Sequence, residues 1–443
     1  MNDADRSPSP LEPLLTPEGW ELLNSLPPYT EAGAFELNQR LRKQGYSPEL
    51  TAAALTQASL RTEAAAKFGD FAQKMLFTRD GLQQATRLHV AARHAQRFRE
   101  AGLTHAADLG CGLGGDAMAL ASLGLKVVAV EADETTAAAA TMNLLAFPEA
   151  DVLHTTAEDF MRQHGPLPAG WGLWLDPARR DAGRGHSGSG AASRVWDPEA
   201  FSPPLSFVTE LAATGVPLGV KLGPGLPHEL IPEGCEAEWV SDDGDVVEVV
   251  LWFNALARRA GDAVLPRAAT VLHSEEDRRR SLELTSVARA GDGEDPEDRD
   301  VPAPARRPAP GEVLYEPDGA VIRAGLVQDL AEVFGGELLD EHIAYFTTPQ
   351  EYDGEFAPLA RGYRVEQVME FSVKTLKRWA VQEEVTSLEI KKRGVDIVPE
   401  QLRQQVLGGK GGKKAARRTP KVHRTLVLVR TGDQRLALVV EPL

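Results

Sequence analysis

Three acidic residues, each closing an apolar run, are the groups in this chain best placed to do chemistry. Asp108 opens the stretch Asp108-Leu-Gly-Cys-Gly-Leu-Gly-Gly-Asp116. There Gly110, Gly112 and Gly114 permit a tight turn and close approach of a ligand, just ahead of a helix predicted from Asp116 to Leu123. Glu131 ends Lys126-Val-Val-Ala-Val-Glu131, where a carboxylate can accept two hydrogen bonds from ribose hydroxyls. Asp176 follows the apolar Gly172-Leu-Trp-Leu and begins Asp176-Pro-Ala-Arg-Arg180. Ligands of open α/β sheets lie beyond the carboxyl ends of the strands, so these residues are expected around one crevice. Asp108, the glycines and Glu131 together read as a nucleoside-binding half-site. Cys111, inside the loop, reads as a small residue beneath the ligand and not as a nucleophile.

The elements that would position these residues alternate. Strand-like runs end at Leu109, Glu131, Thr155, Asp176 and Leu222 with helical stretches between them, which predicts a doubly wound α/β sheet. The runs 235–240 and 246–253 flank the turn signal Asp242-Asp-Gly244 and predict a closing hairpin. Before the sheet, Thr16 to Arg99 reads as helical, with caps at Thr16 and Ser47 and a stripe of Leu82, Ala85, Leu88, His89 and Ala92 expected to pack on the following domain. His89 and His94 read as surface or interface residues of that helix. The divisions expected are a disordered tail at 1–13, a helical region at 14–100, a catalytic domain at 101–289, a charged, proline-rich linker at 290–311, a connecting α/β segment at 312–347 and a basic domain at 348–443.

The details of the glycine loop separate two cofactors. A dinucleotide fingerprint admits a pyrophosphate, which Asp108 would repel; the same carboxylate can hold an ammonium group indirectly. The loop resembles motif I of the class I S-adenosylmethionine methyltransferases. That resemblance implies cofactor contacts from Asp108, Gly110, Cys111, Gly112, Gly114, Asp116 and Glu131. A structural turn and an NAD site are the alternatives. Many such enzymes place an Asp after the third strand to bind the adenine amino group. Here Thr156 stands at that position, leaving Asp159 or a backbone amide for the task, while Glu158 and Asp159 read equally well as the acidic first turn of a helix.

Asp176-Pro177-Ala178-Arg179 resembles the acidic or amide, Pro, Pro, aromatic motif of methyltransferases that modify exocyclic amino groups. It keeps Asp176 and Pro177, which are expected to orient the acceptor, but has Ala178 and Arg179 where a second proline and an aromatic would stand. Trp196 or Phe201 is expected to supply a stacking surface in its place. Arg179 and Arg180 are expected either to hold phosphate or to pair with Asp181 and other carboxylates.

Charge is unevenly distributed. The chain carries a net −17, yet between Arg361 and Arg430 there are 17 Lys or Arg against 7 Asp or Glu. Lys374, Lys377, Arg378, Lys391, Lys392, Arg393 and the block Lys410 to Lys421 concentrate in that one module, a distribution that suits a phosphate backbone and predicts RNA as a partner; a solvated basic face is the alternative. No apolar run reaches the roughly 18 residues of a membrane span, and Met1 to Pro10 lacks a signal-peptide core, so a cytoplasmic location without a membrane partner is expected. Two cysteines make no disulfide framework, and no Cys/His spacing suits zinc, so no metal is expected.

From about Thr16 onward the whole chain resembles a bacterial family of class I methyltransferases with a C-terminal THUMP-like domain. The residues that carry the resemblance include 77–87, 108–116, 176–180, Lys221-Leu-Gly-Pro-Gly225, Tyr315-Glu-Pro-Asp-Gly-Ala-Val-Ile-Arg-Ala-Gly325, 371–377 and Glu389-Ile-Lys-Lys-Arg-Gly394. The catalytic part is similar to trimethylguanosine-synthase-type enzymes, and true THUMP domains bind RNA. The resemblance therefore implies methylation of a nucleobase nitrogen in RNA. A small-molecule methyltransferase, a non-catalytic RNA-binding protein that keeps the nucleoside pocket, and an NAD-linked oxidoreductase are the rivals.

Overall fold

The computed structural model describes residues 9–179, 197–275, 278–286, 305–408 and 422–443, which divide into two units. The first comprises Met1–Leu222, Pro227–Cys235 and Leu251–Ala257; the second comprises Gly223–Leu226, Glu236–Val250 and Arg258–Leu443. The tail 1–8, the loop from Arg180 to Trp196, most of the 290–311 linker and the block Lys410 to Lys421 lie outside the described residues.

Five helices open the first unit: α1 (Pro17–Ser25), α2 (Glu31–Lys43), α3 (Pro48–Phe68), α4 (Arg79–Gln84) and α5 (Leu88–Glu100). The first four begin at a hydroxyl cap: Thr16, Thr30, Ser47 and Thr78 each accept from the amide three residues on, at 3.1 to 3.2 Å. The stripe expected from Leu82 to Ala92 is not one helical face. Lys67 Nζ donates to the carbonyls of Leu82, Gln83 and Ala85, α4 stops, and the chain restarts at Leu88 in a new phase. The buried face of α5 is Val90, Ala91, His94, Ala95 and Phe98, so His94, at 3% exposure, is a core residue and not a surface one.

Beyond α5 come β1 (His105–Leu109), β2 (Lys126–Glu131), β3 (Ala150–His154) and β4 (Trp171–Leu175), then the short ribbon of β5 (Ala178–Arg179) and β6 (Phe201–Ser202), then β7 (Leu218–Leu222). Strands β7, β4, β1, β2 and β3 lie side by side in that order, all parallel, as the alternation predicts. Helices α6 (Gly115–Ser122), α7 (Glu134–Leu144), α8 (Ala157–His164) and α9 (Leu205–Ala213) alternate with the strands. The register pairs Leu109 with Val130 on one side and Leu175 on the other, so Gly110, Glu131 and Asp176 leave the sheet at one level.

The predicted hairpin forms from β8 (Glu236–Asp242) and β9 (Asp245–Phe253), whose last residues, Leu251 to Phe253, belong to the first unit. In the second unit a two-residue ribbon, β10 (Arg259–Ala260) with β11 (Ala263–Val264), precedes β12 (Arg267–Glu275), which pairs with β8 in parallel and with β13 (Arg278–Thr285) antiparallel. This pairing draws 236–250 and 258–286 into the second unit, inside the 101–289 span read from sequence as one domain. Arg258 joins the elements by ion pairs to Glu236 (2.8 Å), Glu238 (2.8 Å) and Glu283 (2.6 Å).

The rest of the second unit is a seven-stranded sheet built from β14 (Val313–Pro317), β15 (Glu337–Asp340), β16 (Ile343–Thr348), β17 (Ala360–Glu370), β18 (Ser387–Arg393), β19 (His423–Thr431) and β20 (Gln434–Pro442), in the order β15-β16-β14-β17-β20-β19-β18. The segment 312–347 is thus more than a connection: β14 pairs with β17 and brings β16 and β15 into the same sheet. It also holds two helices, α10 (Gly319–Ala324) and α11 (Val327–Phe334), separated where Gly325 turns left-handed at φ 75°. Helices α12 (Val373–Gln382), capped by Ser372, and α13 (Pro399–Leu407) bury Leu376, Trp379, Leu402 and Val406 with Leu388 and Ile390 of β18. Among the described residues no helix is long and apolar enough to cross a membrane.

Candidate active site

The loop after β1 is set by hydrogen bonds that its sequence makes possible. The Gly110 and Cys111 amides both donate to the Val130 carbonyl, at 2.8 and 2.9 Å, which folds the loop over the end of β2. Gly110, Gly112 and Gly114 take φ values of 94°, 54° and 86°, in the left-handed region that favours glycine. A Cβ on Gly110 would stand 3.4 Å from the Asp176 carbonyl oxygen, in ordinary van der Waals contact, so the β1 and β4 loops are neighbours at this point and it is the left-handed φ that calls for glycine. Glu131 braces the same turn: Oε2 accepts from the Gly112 amide and Oε1 from the Asp133 amide, each at 2.9 Å.

Asp108 is 1% exposed, and neither carboxylate oxygen has a partner of ordinary hydrogen-bond geometry. Burial raises its pKa well above the usual carboxylate range, and the charges of Asp116, Asp176 and Glu131 push the same way against the pull of the Ala117 amide. A buried carboxylate two residues before the glycine turn, without a partner of ordinary hydrogen-bond geometry, fits the amino-acid end of a cationic cofactor. Cys111 is also buried, and burial together with Asp108 and Glu131 raises its thiol, keeping it protonated and a poor nucleophile.

Asp116 has its carboxylate taken up inside the unit. Its Oδ1 lies 2.7 Å from Nδ1 of His94, whose ring stacks on Trp174 at 4.2 Å between centroids. Burial favours the neutral acid here, but the bond and charge of His94, then Lys221 and Thr86, prevail and lower the Asp116 pKa. Thr156 caps α8 by accepting from the Asp159 amide at 3.1 Å, and Asp159 pairs with Arg162 at the surface. These are the bonds of an acidic first turn.

At the end of β4, Asp176 is half-buried and Pro177 buried. Asp176 Oδ2 accepts from Lys221 Nζ, which also donates to Thr86 Oγ1 at 2.9 Å. Arg179 pairs through its backbone with Phe201 in the β5–β6 ribbon; its side chain, Arg180 and Trp196 lie outside the described residues. Phe201 is 5% exposed and, with Pro177, Leu205 and Leu222, lines a small apolar pocket. Thr86, Lys67 and His94 are site-forming residues that sequence reasoning missed, although Thr86 lies within the 77–87 motif.

In the second unit the basic residues divide. Lys374, Lys377, Arg378 and Lys392 are exposed. Lys391 instead donates to Glu316 Oε2 at 2.9 Å and lies over Tyr363, while Arg393 lies over Tyr345, 4.0 Å from Glu316. Tyr345 and Tyr363 add their hydroxyls to the same carboxylate at 3.2 and 3.3 Å. Two cations of the Lys391-Lys392-Arg393 run therefore serve an internal network.

A parallel sheet with a glycine turn after its first strand and carboxylates at three neighbouring strand ends is a Rossmann-like arrangement, and comparison with known proteins gives the family. The chain is 32% identical over 362 residues, 78% of its length and 86% of the relative's, to an uncharacterized S-adenosylmethionine-dependent methyltransferase of Mycobacterium tuberculosis, matched equally in strains CDC 1551 and H37Rv. A family model described as THUMP domain-like matches residues 360–442, and one described as a domain of unknown function matches residues 8–64. A crystal structure of a candidate methyltransferase from Porphyromonas gingivalis W83 has the same fold, with a TM-score of 0.66 and 20% identity over 94% of this chain and 99% of that one. The chain belongs to the S-adenosylmethionine-dependent methyltransferases and carries a C-terminal THUMP-like domain.

Proposed function

We propose that this methyltransferase modifies a nucleobase nitrogen in RNA. The observation that carries the chemical half of the reading is the close approach of the Gly110 turn to Asp176, since the first belongs to the cofactor loop and the second heads the Asp-Pro motif. S-adenosylmethionine supplies a methyl group made electrophilic by its sulfonium. Asp108, Gly110, Cys111, Gly112 and Gly114 would form its cradle, with Glu131 facing the ribose hydroxyls and Thr156 or Asp159 near the base. Asp116 would support the loop through His94.

On the acceptor side, the lone pair of an exocyclic amino nitrogen is delocalised into its ring. Asp176 would accept a hydrogen bond from one amino N–H while the Pro177 segment offers a backbone carbonyl to the other, turning the lone pair toward the methyl group; as the N–C bond forms, the S–C bond would break to release S-adenosylhomocysteine, and the methylated nitrogen would lose its extra proton to Asp176 or to water. Positioning and electrostatics then supply most of the rate. Arg179, paired through its backbone in the β5–β6 ribbon, would hold phosphate.

The RNA half rests on the THUMP-like module and on the exposed cations of α12 with Lys392. Purified full-length protein, tritiated S-adenosylmethionine and total RNA from cells lacking the gene test it. The reading predicts label that ribonuclease releases. Label appearing only when a small-molecule extract is supplied would refute the RNA substrate while leaving the enzyme class intact.

A further inference from the structure

We infer that Lys221 is a positioning residue for methyl transfer, locking the Asp176 carboxylate to Thr86 in the segment between α4 and α5. The inference rests on the reading of Asp176 as the group that orients the acceptor. Lys221 is the fourth residue of β7, and its side chain is only 12% exposed. Its ammonium bridges Asp176 Oδ2 and Thr86 Oγ1. Thr86 is itself held, because Lys67 takes three of the four carbonyls before it, those of Leu82, Gln83 and Ala85, at 2.8 to 2.9 Å.

The lysine also faces crowded negative charge. Asp116 and Asp176 both press on buried Asp108, and Lys221 favours the charged form of Asp116. Ordering a lysine costs rotamer freedom, which ion pairing to a half-buried carboxylate can offset. The consequence for catalysis is geometric. A carboxylate with one oxygen tied to a fixed ammonium cannot rotate freely about its last side-chain bond, so its second oxygen keeps one direction. An acceptor amino group then meets a preset partner, which is how orientation becomes rate. By this argument the N-terminal helical segment is part of the active site, acting through Thr86.

The test uses the full-length protein with S-adenosylhomocysteine calorimetry, the tritium assay on total RNA, and spectra of the lysine 15NH3+ groups, in which Lys221 is identified by its loss in Lys221→Arg. Lys221→Met is expected to lower kcat about 100-fold with S-adenosylhomocysteine affinity and RNA KM each changed less than about threefold, the pattern of an interaction made mainly in the transition state. Lys221→Arg should recover about tenfold of that loss, and Thr86→Val should lose about three- to tenfold. In the substrate-free protein, Asp176→Asn and Thr86→Val should each move the Lys221 signal. Wild-type turnover in a folded Lys221→Met protein, or a Lys221 signal indifferent to Asp176→Asn, would overturn the inference. If the wild-type protein labels no RNA, the RNA reading fails on its own, and the lysine signal still decides whether the lock exists.

Discussion

Replacing Glu131 by Ala should weaken S-adenosylhomocysteine binding about 10- to 150-fold. In the structure this carboxylate has two duties: it braces the glycine loop through Gly112 and the start of α7 through Asp133, each at 2.9 Å. In the proposed complex its remaining acceptor capacity meets the ribose hydroxyls. Hydrogen bonds to a charged group contribute about 1.5 to 3 kcal/mol each, but water can replace part of what is lost at a half-exposed side chain, so one such bond is the net loss expected. At about 1.4 kcal/mol per tenfold, that range gives the predicted factor. Glu131→Gln keeps one oxygen acceptor and should fall between the wild-type protein and the alanine variant. Calorimetry with purified protein measures all three, with thermal unfolding as the check on folding. Affinity within twofold of wild type in a folded Glu131→Ala protein would refute the placement of the ribose at the end of β2.

Asp176→Ala should reduce methyl transfer at least about 100-fold while S-adenosylhomocysteine affinity in calorimetry changes little, the signature of a group that acts on the acceptor. Asp108→Asn should raise the unfolding temperature of the ligand-free protein at pH 8 and lower cofactor affinity. The sign follows from the raised Asp108 pKa: the folded state holds this proton more tightly than the unfolded chain, so stability falls as pH rises above the unfolded value, and the gain from Asn should shrink in melts repeated at pH 5. Asn143→Ala should destabilise the first unit by about 2 to 4 kcal/mol in denaturant titration, because that buried side chain bonds the Leu76 amide and the carbonyls of Leu76 and Leu113. Neutralising Lys374, Lys377 and Arg378 together should weaken RNA binding and flatten its salt dependence, whereas Lys391→Ala, which opens the Glu316 network, should chiefly lower stability.

The parallel sheet was legible because its strands are short runs separated by helical stretches, three of them closed by a carboxylate at Asp108, Glu131 or Asp176, and the glycine loop because three left-handed residues so close together favour glycine. The hairpin of β8 and β9 was announced by Asp242-Asp-Gly244. Periodicity misled between Leu82 and Ala92, since the break after α4 is imposed from 15 or more residues away by Lys67 and leaves no local signal. The same holds for His94, whose burial depends on Asp116 and Trp174, distant partners that no helical pattern names. The pairing of β12 with β8, and of β14 with β17, is likewise a long-range choice. Charge counting located a basic module but could not separate Lys391 from Lys392, because adjacent strand residues face opposite sides and only one of them meets Glu316.

The most direct test of RNA nucleobase methylation is a mass-spectrometric comparison of nucleosides from RNA of cells with and without this gene. The account predicts that one N-methylated base is lost on deletion, returns with the wild-type gene and stays absent with the Asp176→Ala variant. Identical RNA nucleosides in all of these cells would contradict it.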